Sequence, residues 1–165
     1  MQTFQTYCGG KTFLLGEYGA LVNQQGLMLV TKPFFSAEFT RGGVAERVNA
    51  PCARFVAKHA GTLSGVGYRF SNPYGGLGGL GASSAEYLFW LRAFIMFSEG
   101  RDIHLDREAD RQQALAWYRD THWCGEGLAP SGVDVVAQDR SGLVWVDIPN
   151  GVVAELEWSF SDMGV

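Results

Sequence analysis

Cysteine is scarce in this sequence, three residues in 165, and Cys8, Cys52 and Cys124 form no C-x-x-C pair. An odd number of widely spaced cysteines predicts reduced thiols rather than a disulfide framework, which fits a cytoplasmic chain. His59, His104 and His122 are equally scattered, so no H-E-x-x-H or Cys/His spacing for a structural zinc arises. Basic clusters are missing too. With 13 Lys and Arg against 17 Asp and Glu the net charge is -4, which argues against a nucleic-acid binder and its basic patch. No apolar run is long enough for a membrane: Tyr87 to Phe97 is interrupted by Arg92 and falls short of the roughly 20 residues a bilayer requires. The opening MQTFQTYCGGK is polar and glycine-rich, so no signal segment is expected. Small ligands or protein partners are the classes left.

What is present is an ordinary globular composition, 47% hydrophobic and 18% charged, predicting one domain over residues 1–165. Short apolar runs at 12–16 and 27–31, the latter ending before Pro33, predict strands, with a turn at 23–26 between them. A third strand is expected over 34–40, closed by Arg41-Gly42-Gly43. Pro51 suits the first turn of a helix over 52–59, and a short strand follows at 68–70. A helix capped by Ser83 or Ser84 should run to about Ser98 and stop at Gly100. Asp106 is the expected cap of a second long helix reaching Arg119 or Thr121. A short helix through Gln138 follows the loop 124–132, and strands at 143–148 and 152–158 flank a hairpin turn at 149–151. Phe89, Trp90, Phe94 and Phe97 recur at helical spacing and read as core, as do Trp117, Tyr118 and Trp123. This order predicts an α+β fold rather than an alternating doubly wound one.

The stretch GLGGLGASSA at 76–85 stands out because glycine costs roughly 1 kcal/mol relative to alanine inside an element. Glycines entering a helix leave backbone N–H groups pointing outward where the helix dipole favours negative charge, an arrangement suited to phosphate. The order is not that of a P-loop, nor is the spacing that of a dinucleotide fingerprint.

Three segments in one order carry a more specific signal. Gly10-Lys11-Thr12-Phe13-Leu14-Leu15-Gly16-Glu17-Tyr18 resembles the first motif of the GHMP kinases, in particular the mevalonate and phosphomevalonate kinase branch. Gly79-Leu80-Gly81-Ala82-Ser83-Ser84-Ala85 resembles their phosphate-binding motif, and Pro130-Ser131-Gly132-Val133-Asp134 resembles the segment that carries the aspartate. The resemblance implies the N-terminal domain of that family, an α+β fold like ribosomal protein S5 domain 2 with a left-handed βαβ unit. It also implies a two-domain architecture of which this sequence covers the first half, so the chain is expected to be truncated relative to such enzymes.

Residue by residue, the resemblance makes Asp134 the base that takes the substrate hydroxyl proton and Lys11 the cation beside the reacting oxygen. It assigns Gly79, Gly81, Ala82, Ser83 and Ser84 to the phosphates of ATP, and Ser83 also to Mg2+. Glu17, Tyr18 and Ser131 would contact the acceptor. Asp120 and Glu126 are the acidic residues nearest the place where the family supplies a metal-binding glutamate, and neither aligns with it. The implied activity is ATP-dependent phosphoryl transfer to a mevalonate-like molecule, with no nucleic-acid or membrane partner. The alternative is a catalytically inactive homologue that binds a partner or forms a homo-oligomer. A third reading has a separate chain supplying the C-terminal domain.

Overall fold

In the computed structural model, which describes residues 3–22, 25–44 and 46–157, β1 (Thr3–Leu15) and β2 (Gly26–Arg41) pair antiparallel from Thr3↔Thr40 to Leu15↔Leu27. Alternation of buried and open positions along Phe35–Thr40 gives this ribbon one face for the core. The sequence predicts two strands separated at Pro33, whereas β2 runs through as a single strand. Gly9 pairs with Phe34 and Gly10 with Thr31, so Lys32 and Pro33 form a bulge in which a residue without an N–H breaks no ladder. β1 likewise starts well before residue 12, because the polar opening segment forms the edge strand beside β2. Asn23 and Gln24 of the expected turn lie outside the described residues.

The other edge of β2 takes two shorter strands. β3 (Val66–Ser71) pairs with Ser36–Arg41, and β4 (Gly142–Asp147) pairs with Gly26–Val30. Both run antiparallel to β2 and so parallel to each other, end to end and without pairing directly. β5 (Val152–Leu156) completes the sheet against β4 through the expected turn, and Trp158 lies outside the described residues. The passage from β3 to β4 carries α3 (Ala82–Glu99), α4 (Glu108–His122) and α5 (Val133–Gln138); α1 (Ala50–Lys58) and α2 (Ala60–Leu63) precede β3.

α3 and α5 lie against the sheet, with α1 and α2 packed on α3 and α4 packed on α1. Ser84 to Leu91 is buried without interruption, as expected of a helix apolar on all sides. Phe39 sits fully buried between Phe4, Tyr68 and Trp90, the last edge-on at 4.9 Å between ring centroids. Phe89 and Trp90 are buried with it, and Phe94 and Phe97 are partly buried at its margin. A smaller cluster of Met28, Val30, Val133, Ala137, Val144 and Val146 fixes α5 to the β2–β4 half of the sheet.

Two expected caps are corrected. α3 begins at Gly81 in the left-handed region, φ 87°, with no side-chain cap, so neither Ser83 nor Ser84 plays that part. α4 begins after Arg107 rather than Asp106; Asp110 takes the anchoring role instead, accepting bonds from Arg101 Nη1 and Nη2 and from the His104 N–H. α1 does carry Pro51 in its first turn, capped by Asn49, whose Oδ1 accepts from the Cys52 N–H. The three thiols are free, Cys8 and Cys52 buried and Cys124 exposed. No helix among the described residues is long and apolar enough to cross a membrane.

Candidate functional site

α5 is short, and its position is set from both ends. Gly132 precedes it with φ 74°, and a Cβ there would lie 2.4 Å from Leu115 Cδ2, so the sharp entry against α4 requires glycine. Two residues after Gly132, Asp134 stands in the first turn of α5. It shares a cavity of about 250 Å³ with Lys11, Phe13, Glu17, Tyr18, Tyr118, Pro130, Ser131 and Gly132. Segments remote in sequence therefore meet in one place. That volume lies just below the roughly 300–1,000 Å³ of pockets for drug-sized ligands, so the cavity suits a small acceptor rather than a whole nucleotide.

Lys11 is buried along its stem, and its ammonium stands 4.6 Å from the centroid of the Phe13 ring. No carboxylate of the described residues comes within ion-pair distance of it, Asp134 included. A cation facing a cavity without an internal partner is disposed to meet an anion from outside. Glu17 is exposed and Tyr18 is 82% exposed, so these two form the rim of the cavity. Ser131 Oγ accepts a 3.4 Å bond from the Val133 N–H while its side chain borders the cavity.

Tyr118 was expected as packing alone, yet it also forms a wall of the cavity. Burial, with the Asp134 charge adding, pushes its phenol up, which keeps it protonated as a donor. Trp123 departs from the packing expectation in the other direction: it is exposed, and its indole N–H donates to the Glu126 carbonyl. Helical spacing alone could not separate these outcomes, because the loop 124–132 decides which aromatic it covers.

The glycine run reaches the same neighbourhood. The Lys11 N–H donates to the Leu80 carbonyl at 2.9 Å, and a Cβ on Gly81 would lie 2.8 Å from both Lys11 Cγ and Gln138 Nε2. Gly79 is exposed, with φ 82° and open space where a Cβ would stand. Ala82 and Ser83 open α3, Ser83 exposed beside the uncapped N-terminus. Ser84, the adjacent serine, behaves differently: it is 1% exposed, and its hydroxyl donates to Gln138 Oε1. Its side chain is thus committed to the interior, which leaves Ser84 only its backbone N–H to offer an anion. Gln138, which carried no signal in the sequence, joins α5 to this run through its carboxamide.

A metal would find one hydroxyl here, that of Ser83. Among the described residues no three His, Cys, Asp or Glu side chains converge on a metal position. Asp120 pairs with Lys58 on the far side of α4, and Glu126 is exposed in its loop. The donor set fits Mg2+ only when phosphate oxygens supply most of its coordination. Larger clefts of about 480 and 440 Å³ lie elsewhere on the molecule, and no sequence-predicted site residue lines them.

No protein-family model and no curated protein sequence matches this chain. Solved structures do. The mevalonate kinase of Methanococcus jannaschii superposes on 98% of this chain and 58% of its own, at 11% identity and a TM-score of 0.65. For the phosphomevalonate kinase of Streptococcus pneumoniae the shares are 88% and 48%, at 15% identity and a TM-score of 0.63. For the galactokinase of Lactococcus lactis, solved with galactose, they are 93% and 46%, at 10% identity and a TM-score of 0.65. The chain spans about half the length of these proteins. Over that length its α+β architecture, built on an antiparallel sheet, is the GHMP kinase fold.

Proposed function

We propose that this chain is an ATP-dependent small-molecule kinase, or the half of one that holds the phosphate run and the acceptor cavity. The observation that supports the reading is the shared cavity of Lys11 and Asp134, with Gly81 against the lysine stem and the uncapped start of α3 beside it. The triphosphate of ATP would lie along Gly79, Gly81, Ala82 and Ser83, met by outward amides and the positive end of α3. Ser83 would also hold Mg2+, whose part is to neutralise phosphate charge.

The acceptor would enter the cavity between Phe13, Tyr18, Ser131 and Tyr118. With a hydroxyl acceptor, Asp134 takes the hydroxyl proton as that oxygen attacks the γ-phosphorus, and with a phosphate acceptor a phosphate oxygen attacks; in either case the bond from the γ-phosphorus to the β–γ bridging oxygen breaks and ADP leaves. Lys11 stabilises the negative charge that gathers on the transferring group. A mevalonate-like acceptor, mevalonate or phosphomevalonate, is suggested by the motif resemblance and by the mevalonate and phosphomevalonate kinases among the structural neighbours.

The test is ADP release from Mg·ATP in the presence of mevalonate or phosphomevalonate. Turnover by the wild type that falls by about 100-fold or more in Asp134→Asn, with nucleotide affinity kept, supports the reading. Turnover indifferent to Asp134 contradicts it. A second reading, a non-catalytic homologue that self-associates or binds a protein, is favoured by the exposed Leu15, Tyr18, Leu77 and Leu128. It predicts no turnover and a particle larger than one chain in light scattering.

A further inference from the structure

We propose that Gln138 is a positioning residue that holds the glycine run and β1 in register with the helix bearing Asp134. The geometry stands by itself, and its consequence for nucleotide rests on the kinase reading above. Gln138 closes α5, one helical turn after Asp134, and is 1% exposed. Its Nε2 donates to two carbonyls, Gly9 at 2.9 Å and Gly81 at 3.1 Å. Its Oε1 accepts from the Ser84 hydroxyl.

Each partner belongs to a different segment: β1 two residues before Lys11, the residue that precedes α3, and the first turn of α3. One carboxamide thus ties together the three stretches that carry Lys11, the phosphate-facing amides and Asp134. Only a group with two donors and an acceptor at one end satisfies this set. A carboxylate in its place would present oxygen to both carbonyls, removing the bond to Gly9 and leaving Gly81 only its helical bond from the Ala85 N–H and its contact with the Ser84 hydroxyl.

The rest of the run needs such a tie. A Cβ at Gly75, Gly76, Gly78 or Gly79 would meet nothing within 4 Å, so no packing holds the middle of the loop. Its start is pinned where the Tyr74 hydroxyl donates to the Pro33 carbonyl at 2.6 Å. Its end is pinned by Gln138 and by the bond from the Lys11 N–H to Leu80. Gln138 is the side-chain pin next to the site.

The experiment compares amide hydrogen exchange in wild type and Gln138→Glu without nucleotide, then the Kd of each for Mg·ATP. Exchange about tenfold faster at Lys11 and at 79–84 is expected, with unchanged rates across the β2–β3 pairing and a Kd raised about tenfold. A folded variant with wild-type exchange at those amides overturns the proposal, and so does faster exchange with an unchanged Kd. Wild type that fails to bind Mg·ATP overturns the kinase reading instead, and the exchange rates then decide the role of Gln138. If Gln138→Glu does not fold, Ser84→Ala removes the hydroxyl that orients the amide. An increase of about threefold at the same amides supports the role; wild-type rates overturn it.

Discussion

Ser83 and Ser84 are neighbours in sequence with opposite fates, and the difference follows from helical geometry. Successive residues on α3 point about 100° apart, so one serine faces solvent beside the N-terminus and the other enters the core to meet Gln138. The motif was legible in the sequence; which hydroxyl it leaves free was not, because that depends on how α3 lies against α5. Gly132 illustrates a residue whose need is wholly steric. Gly132→Ala would combine a left-handed backbone with a Cβ 2.4 Å from Leu115, and we expect a loss of about 2–4 kcal/mol in urea denaturation. A variant as stable as wild type would show that α4 yields freely there.

His122 gives the residue scale a pH dependence. Its Nδ1–H donates to the Tyr118 carbonyl, its ring lies tilted by 31° against the Tyr118 ring at 4.1 Å between centroids, and its Nε2 is buried with no hydrogen-bond partner among the described residues. Burial, aided by the Arg54 charge and opposed by the Tyr118 bond, lowers its pKa from 6.5 to about 4. Between those values the unfolded chain takes up a proton that the folded chain refuses, so stability falls as pH drops from 6.5 to 4. Glu86, raised by burial, works in the opposite direction, so the comparison must isolate the histidine. The urea midpoint of wild type should fall over that window by more than that of His122→Phe; parallel profiles would remove His122 as the cause.

At the scale of elements, α5 and α3 were legible because local signals marked both: a proline, serine and glycine before one, and glycines at either end of the other. β2 was not, since Pro33 normally interrupts a strand and only the bulge opposite Gly9 and Gly10 accommodates it. The coupling of elements was invisible for the same reason as Gln138, its partners being groups far away in sequence. Arg92 of α3 is the plainest case. It donates to Thr6 Oγ1 and the Tyr7 carbonyl on β1 and pairs with Asp139 just after α5, while Asp139 also accepts from the Leu105 N–H. Both side chains are largely buried, so Arg92→Ala strands a carboxylate and should cost about 3–5 kcal/mol, read from the urea midpoint. A loss under about 1 kcal/mol would mean that water replaces the guanidinium.

For the whole molecule, the sheet and the helices packed against it carry three motif segments to α5, and that convergence is what the sequence order alone does not guarantee. The α+β class and the residues Lys11, Glu17, Tyr18, Ser131 and Asp134 around one cavity were anticipated from the motifs. Tyr118, Phe13 and Gln138 were not, because their roles arise only when α4, β1 and α5 are assembled. The central claim is that the glycine run and Lys11 form a phosphate site. Backbone amide shift mapping during titration with Mg·ATP tests it most directly. Saturable shifts concentrated at Lys11, Gly79, Gly81, Ala82 and Ser83, and weakened about three- to tenfold in affinity by Ser83→Ala, are predicted. No saturable shift at millimolar nucleotide, or shifts centred on another cleft, would contradict the account.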